Sequence, residues 1–247
     1  MAVPASATLV PDGVAPYASY RLLALKTQTN GMDDEDFPPL PYSNFPTSVA
    51  VYVATVSGSE LLYASDIRGA TQMNAWVRRQ SSTTPASLEA APSFAQVMRE
   101  LGELLHPSDV LVFHNARYCR TDVLANAARR EGVDASKLLG LRCYCTCKDP
   151  GARQLFGACP SLSLLCRHFK VRLDDATAQG SAKALAECLS AAVHSKSPLA
   201  ADIEVALRGA EPVPWIVPAP ETQEASKAKG AKTRRKKADR YSPEESR

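Results

Sequence analysis

The chain has 247 residues, 45% of them hydrophobic and 22% charged, with 29 Lys and Arg against 26 Asp and Glu for a formal net charge of +3. That balance belongs to a folded chain with room for one domain of ordinary size, and the absence of any apolar run near the ~18–20 residues of a bilayer crossing argues against a transmembrane helix. The charge is uneven: nine of the Lys and Arg and five of the Asp and Glu lie in 221–247, so this tail carries +4 and the remainder, 20 against 21, carries −1. Overall basicity therefore says nothing about the globular surface.

Residues 1–16 are rich in Ala, Pro, Val and Ser without periodicity and read as a disordered leader with no secretion pattern, so a soluble, unsecreted protein is expected. Tyr20–Leu25 is a short apolar run that ends in Lys26-Thr27-Gln28-Thr29-Asn30-Gly31, a buried strand stopped by an Asn-Gly turn. After the acidic, Pro-bearing segment 33–46, Ser48–Ser57 and Ser59–Asp66 flank Gly58 as a β-hairpin. Thr84-Pro85 opens a short helix, and Phe94, Val97, Met98, Leu101, Leu104 and Leu105 repeat at helical spacing over 92–105, stopped by His106-Pro107.

Asp109–Phe113 is a buried strand, followed by His114-Asn115-Ala116 and a helix over 121–131 that stops at Gly132. Leu141–Cys147 is a further strand, Ser161–Phe169 a helix, and Thr177–Val193 a long Ala-rich helix. Strand and helix alternate, which predicts an α/β domain with parallel strands over 17–195. Beyond it, 196–220 is an apolar, Pro-rich segment with Trp215 and Val217 as contact residues, either for a partner or for its own domain's surface. The tail 221–247 reads as disordered.

Seven cysteines, an odd number, with several two residues apart, read as reduced thiols without disulfides. Cys143, Cys145 and Cys147 alternate, which places all three on one face of a strand, a geometry that suits buried apolar thiols better than a zinc knuckle. Arg78, Arg79, Arg117, Arg120, Arg129, Arg130 and Arg142 are dispersed and read as solvated surface.

These residues resemble the DEDDh-type 3′–5′ exonuclease domain, a ribonuclease H-like α/β fold with a mixed central sheet of about five strands flanked by helices. The likeness is carried by Leu25–Gly31, by Thr84-Pro85 and Ala91-Pro92-Ser93-Phe94, by Val110–Ala116, by Cys145-Thr146, by Ser161–Cys166, and by the stretch from Ala176 through Ser181-Ala182 to Leu189. In that family four carboxylates hold two Mg²⁺ or Mn²⁺ ions that activate water, and a histidine serves as general base. The resemblance puts Lys26, Gln28, Cys119 and Ser181 at the carboxylate positions and Ala176 at the histidine. No carboxylate and no base remain at the five positions.

A Lys ammonium in a carboxylate's place repels a divalent ion by about 8 kcal/mol at 4 Å and an effective dielectric of ~20. The resemblance therefore implies a pseudo-exonuclease with no bound metal, acting as a nucleic-acid-binding or scaffolding subunit of an RNA- or DNA-processing assembly. The alternatives are a pure protein-interaction module, and an active exonuclease with ligands relocated to Asp33, Asp34, Glu35, Asp36 or Asp122. Lys26, Gln28, Thr29, His114 and Asn115 are the candidate nucleic-acid residues of the cleft. Lys26 has a second reading, as a cation paired with one of Asp33–Asp36, and His114-Asn115 a second reading as a structural strand terminator. In the tail Lys232, Arg234, Arg235, Lys236 and Lys237 form a phosphate-binding arm, a nuclear import signal or a solubilising end. RNA or DNA and protein partners are expected, with no membrane.

Overall fold

Strand β1 (Leu22–Thr29) is the axis of the sheet, with an antiparallel neighbour on one side and a parallel one on the other. The computed structural model describes residues 21–31, 44–55, 57–69, 73–80, 83–148, 150–195 and 197–201. The leader, Asp33–Asp36, Trp215, Val217 and the tail cluster from Lys232 to Lys237 all lie outside the described residues.

The hairpin forms as its alternation predicts: β2 (Pro46–Thr55) and β3 (Gly58–Asp66) pair antiparallel, and β2 pairs β1 with Lys26 opposite Ala50 and Gln28 opposite Ser48. Gly58 takes a φ of 139°, a conformation that a side chain would strain, and so turns the chain between the two strands. β4 (Val110–Phe113) and β5 (Arg142–Cys145) add in parallel on the far side of β1. The order is β3-β2-β1-β4-β5, a mixed five-stranded sheet.

Helices cover both faces. The period-2 alternation of β1 sends Leu22 and Ala24 to one face and Leu23 and Leu25 to the other. On the first face lie α6 (Pro150–Phe156), α7 (Leu162–Phe169) and α8 (Ala178–His194), whose small residues Ala182, Ala186 and Cys188 let the helix approach the strands closely. On the second face α3 (Phe94–Leu104) buries Phe94, Val97, Met98 and Leu101, the stripe its sequence spacing predicts. Two short helices precede it, α1 (Ala75–Gln80) and α2 (Pro85–Ala90), the latter opened by a reciprocal capping box between Thr84 and Ser87. Side-chain caps also set the starts of the long helices: Ser93 accepts from Gln96 N–H at 3.2 Å, Ser161 from Leu164 N–H at 3.2 Å and Thr177 from Gly180 N–H at 3.0 Å.

Three expectations change. The helix after β4 begins not near Thr121 but at Arg117, as a π-helix over Arg117–Ala125 that continues into α4 (Asn126–Glu131). Asn115 causes the early start: at φ 70° it turns the chain directly out of the strand, and its side-chain oxygen accepts from Tyr118 N–H at 3.4 Å. The last strand stops at Cys145, so Cys147 leaves the strand face shared by Cys143 and Cys145, enters the following turn and is disulfide-bonded to Cys159. Alternating spacing alone puts Cys147 on the strand and leaves all seven thiols reduced; the turn after β5 and the loop after α6 instead bring the Cα atoms of Cys147 and Cys159 to 4.7 Å. Finally, Arg120 is half-buried rather than solvated and donates to the Leu139 carbonyl of α5 (Ser136–Leu139).

Candidate functional site

The sheet reverses its strand direction sense at β1, where an antiparallel neighbour gives way to a parallel one, and in open α/β sheets the crevice beyond the carboxyl ends of such strands is where ligands bind. The carboxyl ends of β1, β4 and β5 bring Lys26–Thr29, His114 and Asn115, and Cys145 and Thr146 to that edge of the sheet. It gathers most of the residues singled out in the sequence.

Lys26 and Gln28 share one face of β1 by the strand's period of two. Lys26 is half-buried, and among the described residues no carboxylate lies within 4.0 Å of its ammonium. Its field reaches two neighbours, lowering the pKa of both His114 and Cys119. The Cys119 thiol is buried in the π-helix, and there burial outweighs Lys26 and holds the thiol above its ordinary pKa, so it stays protonated. The Gln28 amide donates to the Ala176 carbonyl at 3.0 Å and accepts from the Ser48 hydroxyl at 3.3 Å, which ties β1 to the segment that leads into α8. Ser181 lies one turn further along α8 on its buried side. Of the five positions Gln28 and Ala176 are in direct contact, Cys119 feels the charge of Lys26, and Ser181 is buried in the helix that follows the segment Gln28 holds.

Of the two readings of His114, its surroundings favour the structural one. Only 8% exposed, its ring turns inward, with Nδ1 3.0 Å from the Thr146 hydroxyl and a further hydrogen bond to the Pro160 carbonyl. Burial, reinforced by the Lys26 charge, pushes its pKa down to about 4, so the imidazole is neutral at pH 7. The unfolded chain takes up this proton below ~6.5 and the folded chain does not until about 4. Stability therefore falls as pH drops through that window, by about 1.4 kcal/mol per pH unit from this residue, and is indifferent to it above. Urea unfolding between pH 7 and 4.5 checks this: His114→Gln is expected to flatten the slope.

Thr29 and Asn115 remain at the rim. The Thr29 hydroxyl lies 3.3 Å from Tyr118 Oη, which in turn donates to Asn44 Oδ1 at 3.1 Å. Tyr118 and Pro160 are residues the sequence did not single out, and Thr146 stood in a motif without a role; Tyr118 lies two residues past the His-Asn-Ala motif, but nothing local points its hydroxyl to a strand 89 residues earlier.

Beside Gln28 a groove of ≈ 610 Å³ runs between β2, β3 and the start of α8, carrying Asp66, Asp174 and Asp175 against Lys183. Thr177 Oγ1 donates to Asp175, and Lys183 stands 4.0 Å from Asp174. Among the described residues no group of three His, Cys, Asp or Glu side chains is placed to hold a metal ion. Of these residues the Gln28 amide alone offers an oxygen to Mg²⁺ or Mn²⁺, and it is neutral; the Lys26 ammonium and the protonated Cys119 thiol offer none, so the set does not fit a divalent ion that takes several anionic oxygens. Asp122, a candidate for relocation, acts on Tyr118 and helps raise its pKa, burial being the main cause.

The structure matches solved exonucleases over most of its length. A 3′-exonuclease that recognises the 3′ end of the histone mRNA stem-loop superposes with a TM-score of 0.55 at 12% identity, over 72% of this chain and 83% of that one. The chain has the ribonuclease H-like fold of the 3′–5′ exonucleases. Exonuclease X, solved with 5′-overhanging duplex DNA, matches at a TM-score of 0.50 and 16% identity over 75% of this chain and 99% of its own. Escherichia coli exonuclease I, solved with a dA16 oligonucleotide, matches at 0.52 and 14% over 71% and 41%. No family model and no curated protein matches the sequence. The exonuclease-like domain has, among the described residues, no helix long and apolar enough to cross a membrane.

Proposed function

We propose that this exonuclease-like domain binds RNA or DNA in the strand-end crevice without hydrolysing it, and serves as a nucleic-acid-binding or scaffolding subunit of a processing assembly. The observation that carries this reading is the Lys26 ammonium, half-buried at the carboxyl end of β1 with no carboxylate in ion-pair reach among the described residues. A cation so placed attracts a phosphate and repels a divalent metal. Gln28, spent on the Ala176 carbonyl, and Cys119, held as a neutral thiol, offer no anionic ligand beside it. On this reading Lys26, Gln28, Cys119, Ala176 and Ser181 are the altered catalytic positions of an ancestral nuclease, and no metal cofactor is bound.

Thr29 and Asn115 line the crevice as polar contacts, and the tail residues Lys232, Arg234, Arg235, Lys236 and Lys237 add phosphate attraction and direct the protein to the nucleus. Trp215 and Val217 contact a protein partner. Fluorescence anisotropy with single-stranded RNA and DNA at ~50 mM salt in EDTA tests the reading: binding persists without metal, falls steeply with salt, and weakens on removal of residues 227–247. Absence of binding at low salt refutes it.

A further inference from the structure

We infer that the surface of α6 and α7 is a second contact for single-stranded nucleic acid, with exposed cations for the phosphates and an aromatic cluster on which a base stacks. This rests on the nucleic-acid reading above and names a surface outside the crevice. From Pro150 to Leu173 the sequence has Arg153, Arg167, Lys170 and Arg172 and no Asp or Glu. Arg172 is taken up by Asp174 at 2.6 Å. Arg153, Arg167 and Lys170 are exposed and have no carboxylate within 4.0 Å among the described residues.

Exposed cations alone make an ordinary solvated face. What sets this one apart is the ring cluster among them. The exposed His168 ring meets Phe156 edge-on at 5.1 Å and Phe169 edge-on at 4.8 Å, so both phenyl rings brace it from the core side. Arg167 and Lys170 flank that ring in sequence, and Arg153 precedes Phe156 by one helical turn. Aromatic rings bordered by unpaired cations are the elements with which proteins hold single strands irrespective of sequence: bases stack, phosphates pair.

The layout also gives the strand a direction. The Pro160 carbonyl just before α7 is bonded to His114, which feels the Lys26 charge, so the start of α7 adjoins the crevice. The ring cluster lies at the other end of this eight-residue helix, about 12 Å away. The groove beside Gln28 carries Asp66, Asp174 and Asp175 against Lys183 and Arg172, a net negative charge that disfavours phosphates. A strand anchored at Lys26 is thereby steered along α7.

The test uses the full chain, with RNA and DNA strands of the same sequence, as trinucleotides and as ~15-mers. Arg167→Glu/Lys170→Glu is expected to weaken the 15-mer at least tenfold at ~100 mM salt and to reduce the slope of log affinity against log salt by about 1.4, the value for two lost single-strand phosphate contacts. His168→Ala is expected to weaken it about tenfold with the slope unchanged, a loss of one stacked base. The trinucleotide changes less than twofold in either variant. Circular dichroism confirms that both variants fold. Unchanged 15-mer binding in the folded double variant overturns the inference and leaves the crevice reading standing; an effect of charge reversal with none from His168→Ala overturns the stacking contact. A wild-type chain that binds neither length refutes the crevice reading itself. The RNA and DNA arms identify which nucleic acid uses the surface.

Discussion

Lys26→Asp is expected to lower affinity for single-stranded nucleic acid by roughly 30- to 100-fold at low salt while leaving the fold intact. Two unit charges 4 Å apart interact by about 4 kcal/mol at an effective dielectric of ~20, and solvent screening brings a half-buried contact to about 1–1.5 kcal/mol. Charge reversal removes the attraction and adds a repulsion of similar or slightly smaller size, about 2–2.7 kcal/mol in all, which is 30- to 100-fold. Lys26→Met, which keeps the aliphatic stem, is expected to lose about half of that free energy. The same substitutions report on His114: with the ammonium gone, its pKa rises from about 4 toward the ordinary imidazole value, and an NMR titration of the ring reads that change directly. A Lys26→Asp protein with unaltered affinity would mean that the crevice is not where the strand binds.

Asp109→Ala is expected to destabilise the domain by about 3 kcal/mol, seen as a large drop in the urea midpoint and in Tm. Asp109 has no exposure to solvent and still carries a carboxylate, which accepts from Arg21 Nε at 2.8 Å, from a second Arg21 nitrogen at 2.7 Å and from His106 N–H at 2.7 Å. Arg21 in addition donates to the Leu104 carbonyl at 2.9 Å. These bonds join the amino ends of β1 and β4, the two strands whose carboxyl ends form the crevice, and they also seat the end of α3. Removing the carboxylate leaves the guanidinium with the Leu104 carbonyl alone and takes the acceptor from the His106 N–H, which costs far more than an exposed ion pair contributes. Because the pair sits at the strand ends remote from Lys26, the folded fraction of Asp109→Ala is expected to bind nucleic acid with wild-type affinity. Asp109→Asn, which keeps one acceptor, is expected to recover part of the stability.

The sequence made the skeleton of this fold readable where one local rule governed an element. β2 and β3 follow from alternation about Gly58; α3, α7 and α8 follow from a 3.6-residue apolar period with a Ser or Thr cap at the start. The short helices α1, α5 and α6 were not readable, because four to seven residues carry too little periodicity to be told from a loop. The π-helix escaped for another reason: its early start depends on the left-handed conformation of Asn115, which belongs to the strand exit and not to the helix that follows.

The site divides along the same line. Lys26, Gln28 and Asn115 stand in strand-end motifs legible in the sequence, whereas side-chain partners are set by tertiary distance: Gln28 meets Ala176 across 148 positions, and His114 meets Thr146 across 32. That distance explains why two readings of His114 stood open from its place at the end of β4, since the partner it turns toward lies on the turn after β5. It explains the cysteines as well. Cys147 and Cys159 are joined by a turn and a loop whose course no spacing rule contains.

The most direct measurement of the central claim is an assay in which 5′-labelled single-stranded RNA and DNA are incubated with the purified full chain in Mg²⁺, in Mn²⁺ and in EDTA, with binding and product length read from the same samples. The account predicts equal binding in all three conditions and full-length substrate throughout. Metal-dependent shortening from the 3′ end that co-purifies with the chain and disappears in an Asp33→Ala/Asp34→Ala/Asp36→Ala variant would contradict it.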